Sequence, residues 1–205
     1  MELTSPDTQR KARKSRRHAR QRQALLDAAR GVLAEEGLPG FTIARVAAAA
    51  EVSKPSFYYY FRSREALVAA LADTIAADEA SCMSQAAYAA AEGPDALSAA
   101  LRAVVTWHTE DLDRYRLLYQ WPAVVGVVDG FYDDVVAPRR TQSLAVLASR
   151  LGPRPDADQL AETALATAHG IVATAANLQA LGQDPAPRLA AQLDVACRAL
   201  VAVLR

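Results

Sequence analysis

Three hydroxyl residues, Thr42, Ser53 and Ser63, each stand directly before a run whose apolar positions recur every three or four residues. A serine or threonine in that place accepts a hydrogen bond from one of the otherwise unpaired N–H groups in a helix's first turn. Behind Thr42, residues Ile43, Val46, Ala47 and Ala50 fall at i, i+3, i+4 and i+7, which gives a short helix one inward face. Ser53 caps the next helix, with Lys54 and Pro55 in its first turn, where a missing N–H costs little. Ser63, with Ala66 and Leu67 beyond it, opens a longer helix in "SREALVAALADTIAADEA", expected to run to about Ala80. Upstream, Leu25, Ala28, Ala29, Val32 and Leu33 mark an amphipathic helix that starts near Arg20 and stops at Gly37. Two short helices joined by a tight turn and preceded by a longer one are the pattern of a helix-turn-helix unit, whose second helix enters the major groove of DNA.

The second short helix carries an unbroken run of rings, Phe57 to Phe61. Successive helical side chains are turned by about 100°, so these rings cannot all share one core. Phe57 and Phe61 lie four apart on one face, where Ile43, Val46 and Val52 are available to pack on them. Tyr59 then lies nearly opposite, beside Pro55 and Ser56, with Tyr58 and Tyr60 on the flanks. A tyrosine suits such a border because its ring packs on the scaffold while its hydroxyl reaches a phosphate oxygen.

Charge divides the chain in the same way. Residues 1–64 hold 13 Lys/Arg against 6 Asp/Glu, and the remainder holds 10 against 17, although the chain as a whole is neutral. A basic head on an acidic body points to a polyanionic partner for the head. The run "RKARKSRRHARQR", Arg10–Arg22, has eight basic residues and no acid. It reads either as a solvated tail or as an arm that neutralises phosphates or enters a minor groove.

The stretch "GFTIARVAAAAEVSKPSFYYYFRSREAL", Gly40–Leu67, resembles the DNA-binding segment of the TetR/AcrR family of transcriptional regulators. The shared elements are the Thr cap, the Ile…Val-Ala pair, Val-Ser before the recognition helix, Tyr-x-Tyr-Phe, and the Ser-Arg-Glu-x-Leu start of the fourth helix. The resemblance implies an all-α homodimer, each subunit having an N-terminal three-helix DNA-binding domain and a larger helical domain for effector binding and dimerisation. With the charge split it divides the chain into a basic, disordered arm (1–19), a helix-turn-helix domain (20–66) and an effector and dimer domain (67–205). It also implies that Thr42 and Tyr58 contact phosphates, that Lys54, Pro55, Ser56 and Tyr59 face the groove, and that Tyr60 and Arg64 contact the backbone at the far end; Ser53 is a further DNA-binding candidate. Two positions depart from the family pattern. Glu51 replaces a usual glycine, so the turn either strains a non-glycine residue or takes another geometry. Ala44 stands where several members place a long polar residue that reads a base, so either part of the base readout is absent here or Arg45 supplies it.

The acidic body reads as five or six further helices. One starts at Pro94, a short one lies in "DLDRYRLLYQWP", and a long one is interrupted by Pro138 or begins near it. Two more lie on either side of the Gly182–Pro187 connection. The resemblance makes these last two helices the homodimer elements, and the small side chains of Ala166, Gly170, Ala173 and Thr174 permit close helix packing there. Met83, Tyr88, Trp107, Tyr115, Tyr119, Trp121, Tyr132 and His169 are the candidate contacts of a small-molecule effector, with ordinary core packing as the competing role for each.

Other classes are disfavoured. The histidines, His18, His108 and His169, have no metal-ligand spacing, and Cys82 and Cys197 lie far apart without a CxxC, so neither a metal site nor a cofactor is expected. No glycine-rich phosphate loop or Gly-x-Ser-x-Gly occurs, so the expected protein is not an enzyme. Neither a long apolar run nor an apolar leader is present, which gives a cytoplasmic protein without membrane contact as the expectation. The sequence thus predicts a repressor that binds a double-stranded DNA operator and is released by its effector; the alternative is a DNA-binding regulator controlled by a protein partner.

Overall fold

The computed structural model describes residues 6–120 and 130–204. Among the described residues there are nine α-helices and no strand, as expected of an all-α chain. The chain divides into two compact units, Met1–Leu71 and Ala72–Arg205.

The first unit contains α1 (Pro6–Gly40), α2 (Ile43–Ala49), α3 (Lys54–Tyr60) and the start of α4 (Arg64–Ala89). Each expected cap is formed. Thr42 Oγ1 accepts from the Arg45 N–H at 3.3 Å, Ser53 Oγ from Ser56 N–H at 3.3 Å, and Ser63 Oγ from Ala66 N–H at 3.1 Å. The inward faces meet as read: Leu25, Ala29, Leu33, Phe41, Val46, Ala47, Phe57, Phe61 and Leu67 are buried. Phe57 and Phe61 lie 5.9 Å apart, ring centre to ring centre, and truncating a fully buried Phe of this kind costs about 3–5 kcal/mol.

α1 differs from its expected span. It begins at Pro6 instead of near Arg20, so the basic run Arg10–Arg22 is helical and not an irregular arm. Its composition explains why: Arg, Lys, Gln and Ala are strong helix formers, and they dominate this stretch. Helical geometry breaks at Gly37, with φ 64° and ψ −171°, where the sequence placed the stop.

The turn after α2 settles the geometry of Glu51. Glu51 N–H donates to the Ala48 carbonyl at 3.0 Å and Val52 N–H to the Ala47 carbonyl at 2.9 Å. This paired closure is the Schellman end of a helix, and it requires a left-handed residue at the position Glu51 occupies. Glu51 has φ 54°, the only positive φ of a non-glycine among the described residues. The turn therefore keeps the geometry that glycine would provide and strains a glutamate to do so.

The second unit holds the rest of α4, α5 (Pro94–Thr109), α6 (Leu112–Tyr115), α7 (Ala137–Arg150), α8 (Ala157–Ala180) and α9 (Ala186–Val203). Pro94, Pro138 and Pro187 all sit in the first turn of their helices, so Pro138 opens α7 and does not interrupt it. α5 and α8 form the centre of this unit. Leu97, Leu101, Val104 and Val105 of α5 share a buried cluster with Ala161, Ala164, Leu165, Ala168 and Val172 of α8, to which α7 adds Leu147 and α9 adds Leu193 and Cys197. Cys82 is half-buried and Cys197 buried, and both are free thiols. Residues Arg116–Gln120 and Tyr132–Val136 wind more widely, as π-helical turns, a rare form that recurs at functional sites.

The strain at Glu51 gives a stability prediction. A left-handed non-glycine residue costs roughly 1–2 kcal/mol, and glycine costs about 0.5–1 kcal/mol in chain entropy, so Glu51→Gly is expected to stabilise the protein by about 0.5–1 kcal/mol. Urea unfolding checks this; a Glu51→Gly variant with an unchanged or lower midpoint would contradict the strain.

Candidate nucleic-acid interface and a buried polar cluster

The groove-facing residues predicted from the sequence lie on one side of α3. Ser53, Lys54 and Pro55 are exposed and Ser56 is half-buried. Tyr59 is 66% and Tyr58 45% exposed, unusual values for rings with an adjacent core to enter. Tyr60 is half-buried and meets Tyr59 edge-on at 5.0 Å. Thr42 is exposed, while Arg64 is half-buried with its guanidinium 5.8 Å from the Phe41 ring centre.

α1 contributes two residues to this surface that sequence reasoning missed. The His18 ring lies 4.9 Å from Tyr60 and 5.6 Å from Tyr59, and the Arg22 guanidinium lies 5.0 Å from the Phe61 ring. His18 and Arg22 are four residues apart, so once the basic run is helical both fall on one face. That spacing was present in the sequence, but it carries meaning only if the helix extends upstream of Arg20.

Arg45, the candidate substitute for the missing base reader, is engaged within the unit. Its Nε donates to both carboxylate oxygens of Glu36, at 2.8 and 3.1 Å, and its Nη2 pairs with Glu36 Oε1. The guanidinium holds the Glu36 carboxyl below the usual carboxylate range. Solvent screens an exposed pair of this type, so a phosphate or base edge can displace it.

The second unit buries a polar cluster. Glu79 of α4 lies on an otherwise apolar stripe, with Ala72, Ile75, Ala76, Met83 and Ala87. Its Oε1 is 3.1 Å from His108 Nε2 on α5 and 2.6 Å from His169 Nε2 on α8. Its Oε2 accepts from the Tyr119 hydroxyl at 2.8 Å. An ionised carboxylate only accepts, so both imidazoles present an Nε2–H to it. Burial pushes the Glu79 carboxyl up, but the hydrogen bonds from His108 and His169 outweigh it and hold the group well below the usual range. Burial dominates at His108 and lowers its pKa, which keeps the ring neutral, while burial beside the Glu79 charge raises the Tyr119 phenol well above its ordinary value.

The candidate effector residues separate on this frame. Tyr115, Tyr119 and His169 come together around His108, with Tyr119 and His169 4.4 Å apart and Tyr115 5.6 Å from His108. Met83 is buried in the same core. Trp107 is half-buried, with the Arg114 guanidinium 4.6 Å from its ring, and is His108's chain neighbour. Tyr88 and Tyr132 are exposed, Tyr88 beneath the Arg150 guanidinium at 5.6 Å. Trp121 lies outside the described residues. Glu79 was missed, yet a lone acid at i+7 of an apolar stripe is a signal that the sequence contains.

Comparison with known proteins follows the same division. Residues 25–71 match the family profile described as bacterial regulatory proteins, tetR family. No curated protein matches the sequence. Among solved structures, a candidate TetR-family transcriptional regulator from Mesorhizobium loti MAFF303099 superposes with TM-score 0.70 at 18% identity, over 91% of this chain and 98% of its own. A TetR-family transcription regulator from Marinobacter aquaeolei VT8 gives 0.63 at 15%, over 90% and 97%. The fatty acid degradation regulator FadR of Bacillus halodurans gives 0.67 at 14%, over 98% and 97%. At such identities the likeness concerns the fold.

The buried cluster predicts a contrast in stability. Glu79→Ala leaves two imidazole N–H groups and one phenol without an acceptor, at about 1–3 kcal/mol for each unsatisfied buried group, so a loss of at least about 3 kcal/mol is expected. Asp194→Ala removes an exposed 2.7 Å pair with Arg102, which solvent screens, and a much smaller loss is expected. Denaturant unfolding of the two variants side by side checks the difference, and equal losses would contradict it.

Proposed function

Because the chain belongs, through residues 25–71, to the tetR family of bacterial regulatory proteins, we propose that this DNA-binding transcription regulator is a homodimeric repressor released from its operator by an effector taken up in the second unit. The observation that carries the DNA-binding part is the exposed face of α3: Tyr58 and Tyr59 stand outward beside Lys54, while Phe57 and Phe61 anchor the same helix. Tyr58, Thr42, Tyr60 and Arg64 take phosphates; Ser53, Lys54, Pro55, Ser56 and Tyr59 face the bases. Arg45 leaves Glu36 to join them. The basic run on α1 adds charge beside this face, since His18 and Arg22 touch its tyrosines and Phe61.

Dimerisation through α8 and α9 is supported by a surface groove of about 470 Å³ along these helices, lined by Gly170, Ile171, Thr174, Gln192, Val195 and Ala196. Small residues allow a second helix pair to approach closely, and an exposed Val195 is the kind of side chain that such a contact buries. The effector acts by linkage: one that prefers the non-binding dimer lowers operator affinity by its differential affinity for the two states. α4 supplies residues to both units, from the phosphate-facing Arg64 to Glu79 of the cluster.

Operator binding at several salt concentrations tests the DNA face. Tyr58→Phe combined with Arg64→Ala is expected to weaken binding to every sequence and reduce the salt slope, whereas Lys54→Ala or Tyr59→Ala is expected to cost about 1–3 kcal/mol and change the preference among operators. Unchanged affinity in the Tyr58→Phe, Arg64→Ala protein would remove that face from the interface.

A further inference from the structure

We infer that Glu79, His108 and His169 form a binding site for one divalent transition-metal ion of the zinc class. Three ligand atoms from three helices, 29 and 90 positions from Glu79 in sequence, all lie within 4.8 Å of one another. Two imidazole nitrogens and one carboxylate oxygen are a donor set suited to Zn²⁺, Co²⁺ or Ni²⁺. Tetrahedral zinc with bonds of about 2.0–2.1 Å separates its ligand atoms by about 3.3 Å. The His108–Glu79 separation, 3.1 Å, is near that value; the His169–Glu79 separation, 2.6 Å, opens by about 0.7 Å to admit the ion, and the two imidazole nitrogens lie within 4.8 Å of each other.

The surroundings favour an ion over an organic molecule. The void beside the cluster, lined by Glu79, Tyr119, Arg139, Arg140 and Ser143, has a volume of about 10 Å³. That is room for about one water, against several hundred Å³ for a drug-sized ligand. A fourth ligand can come from that one water, since Glu79 lines the void that holds it. The protons can be placed as well. Coordination through Nε2 requires each neutral imidazole to carry its proton on Nδ1. Moving the His108 proton to Nδ1, which is buried and has no hydrogen-bond partner, gives up the Nε2–H bond to Glu79, and the Nε2–metal bond replaces it. The two cations lining the void are engaged elsewhere, Arg139 with Asp73 at 3.2 Å and Arg140 with Glu162 at 3.7 Å, and neither holds Glu79. The site rests on these three ligands alone and stands whether or not an effector releases the chain from DNA.

The experiment uses tag-free full-length protein, stripped with a chelator and titrated with Zn²⁺ by calorimetry and with Co²⁺ by visible absorption. One ion per chain and the intense visible bands of four-coordinate Co²⁺ are expected. His169→Asn and Glu79→Gln are expected to weaken Zn²⁺ binding at least 100-fold, and His18→Asn to leave it unchanged. Because the cluster also supports the core, a second measurement avoids variants. In wild-type protein labelled with ¹⁵N-histidine and loaded with ¹¹³Cd²⁺, two of the three imidazoles should show direct Cd–Nε2 coupling. The proposal is overturned by absence of stoichiometric binding, by binding that survives in a folded His169→Asn protein, or by coupling to fewer than two imidazoles.

Discussion

A single buried carboxylate ties together the interior of the second unit. Glu79 accepts from His108 on α5, His169 on α8 and Tyr119 in the π-helical turn that follows α6. Hydrophobic contacts alone would let alanine-rich helices slide against one another, since small side chains interlock weakly and many registers bury similar area. A charge with three donors tolerates no such freedom. Displacing any one helix by a turn would leave a buried group unpaired, at a cost far above that of a shifted alanine contact. The cluster therefore selects one arrangement of α4, α5 and α8 from the several that packing would allow.

The first unit is specified differently, by local devices at short range. The starts of α2, α3 and α4 each carry a hydroxyl cap, and the end of α2 is closed by a hydrogen-bond pair that forces Glu51 into left-handed geometry. Such features are written in consecutive residues and read directly from them. Hence the three-helix pattern, the inward Phe57 and Phe61 and the outward Tyr59 were all legible in the sequence. The Glu51 alternatives could not be separated from sequence because they depend on which carbonyls the following N–H groups reach.

Legibility falls where the determining contacts are distant in sequence. His169 was recognisable as a polar residue on an apolar helix, but nothing within ten residues of it names its partner, which lies 90 positions upstream. Glu79 escaped notice because a glutamate among alanines is ordinary on an exposed helix; only its register with Ile75, Ala76 and Met83 marks it as buried. The aromatic candidates sorted by the same rule. Tyr115 and Tyr119 entered the cluster and Tyr88 and Tyr132 stayed outside, although composition weighs all four alike. The start of α1 differs for another reason: the basic run has no apolar periodicity to mark a helix, whereas the intrinsic helix preference of Arg, Lys, Gln and Ala carries the helix through it.

That helical basic run changes how its charge can be used. An irregular chain can drape along a groove and bring nearly every cation to a phosphate. A helix distributes side chains around a cylinder, rising about 1.5 Å per residue, so the thirteen positions Arg10–Arg22 span only about 20 Å, and roughly half of their eight cations can face one partner surface at once. In the proposed complex, cations on the side away from DNA release few condensed ions. In counterion terms this segment behaves as a short rod with about four effective charges, with its angular setting fixed by the contacts of His18 and Arg22 on the neighbouring rings.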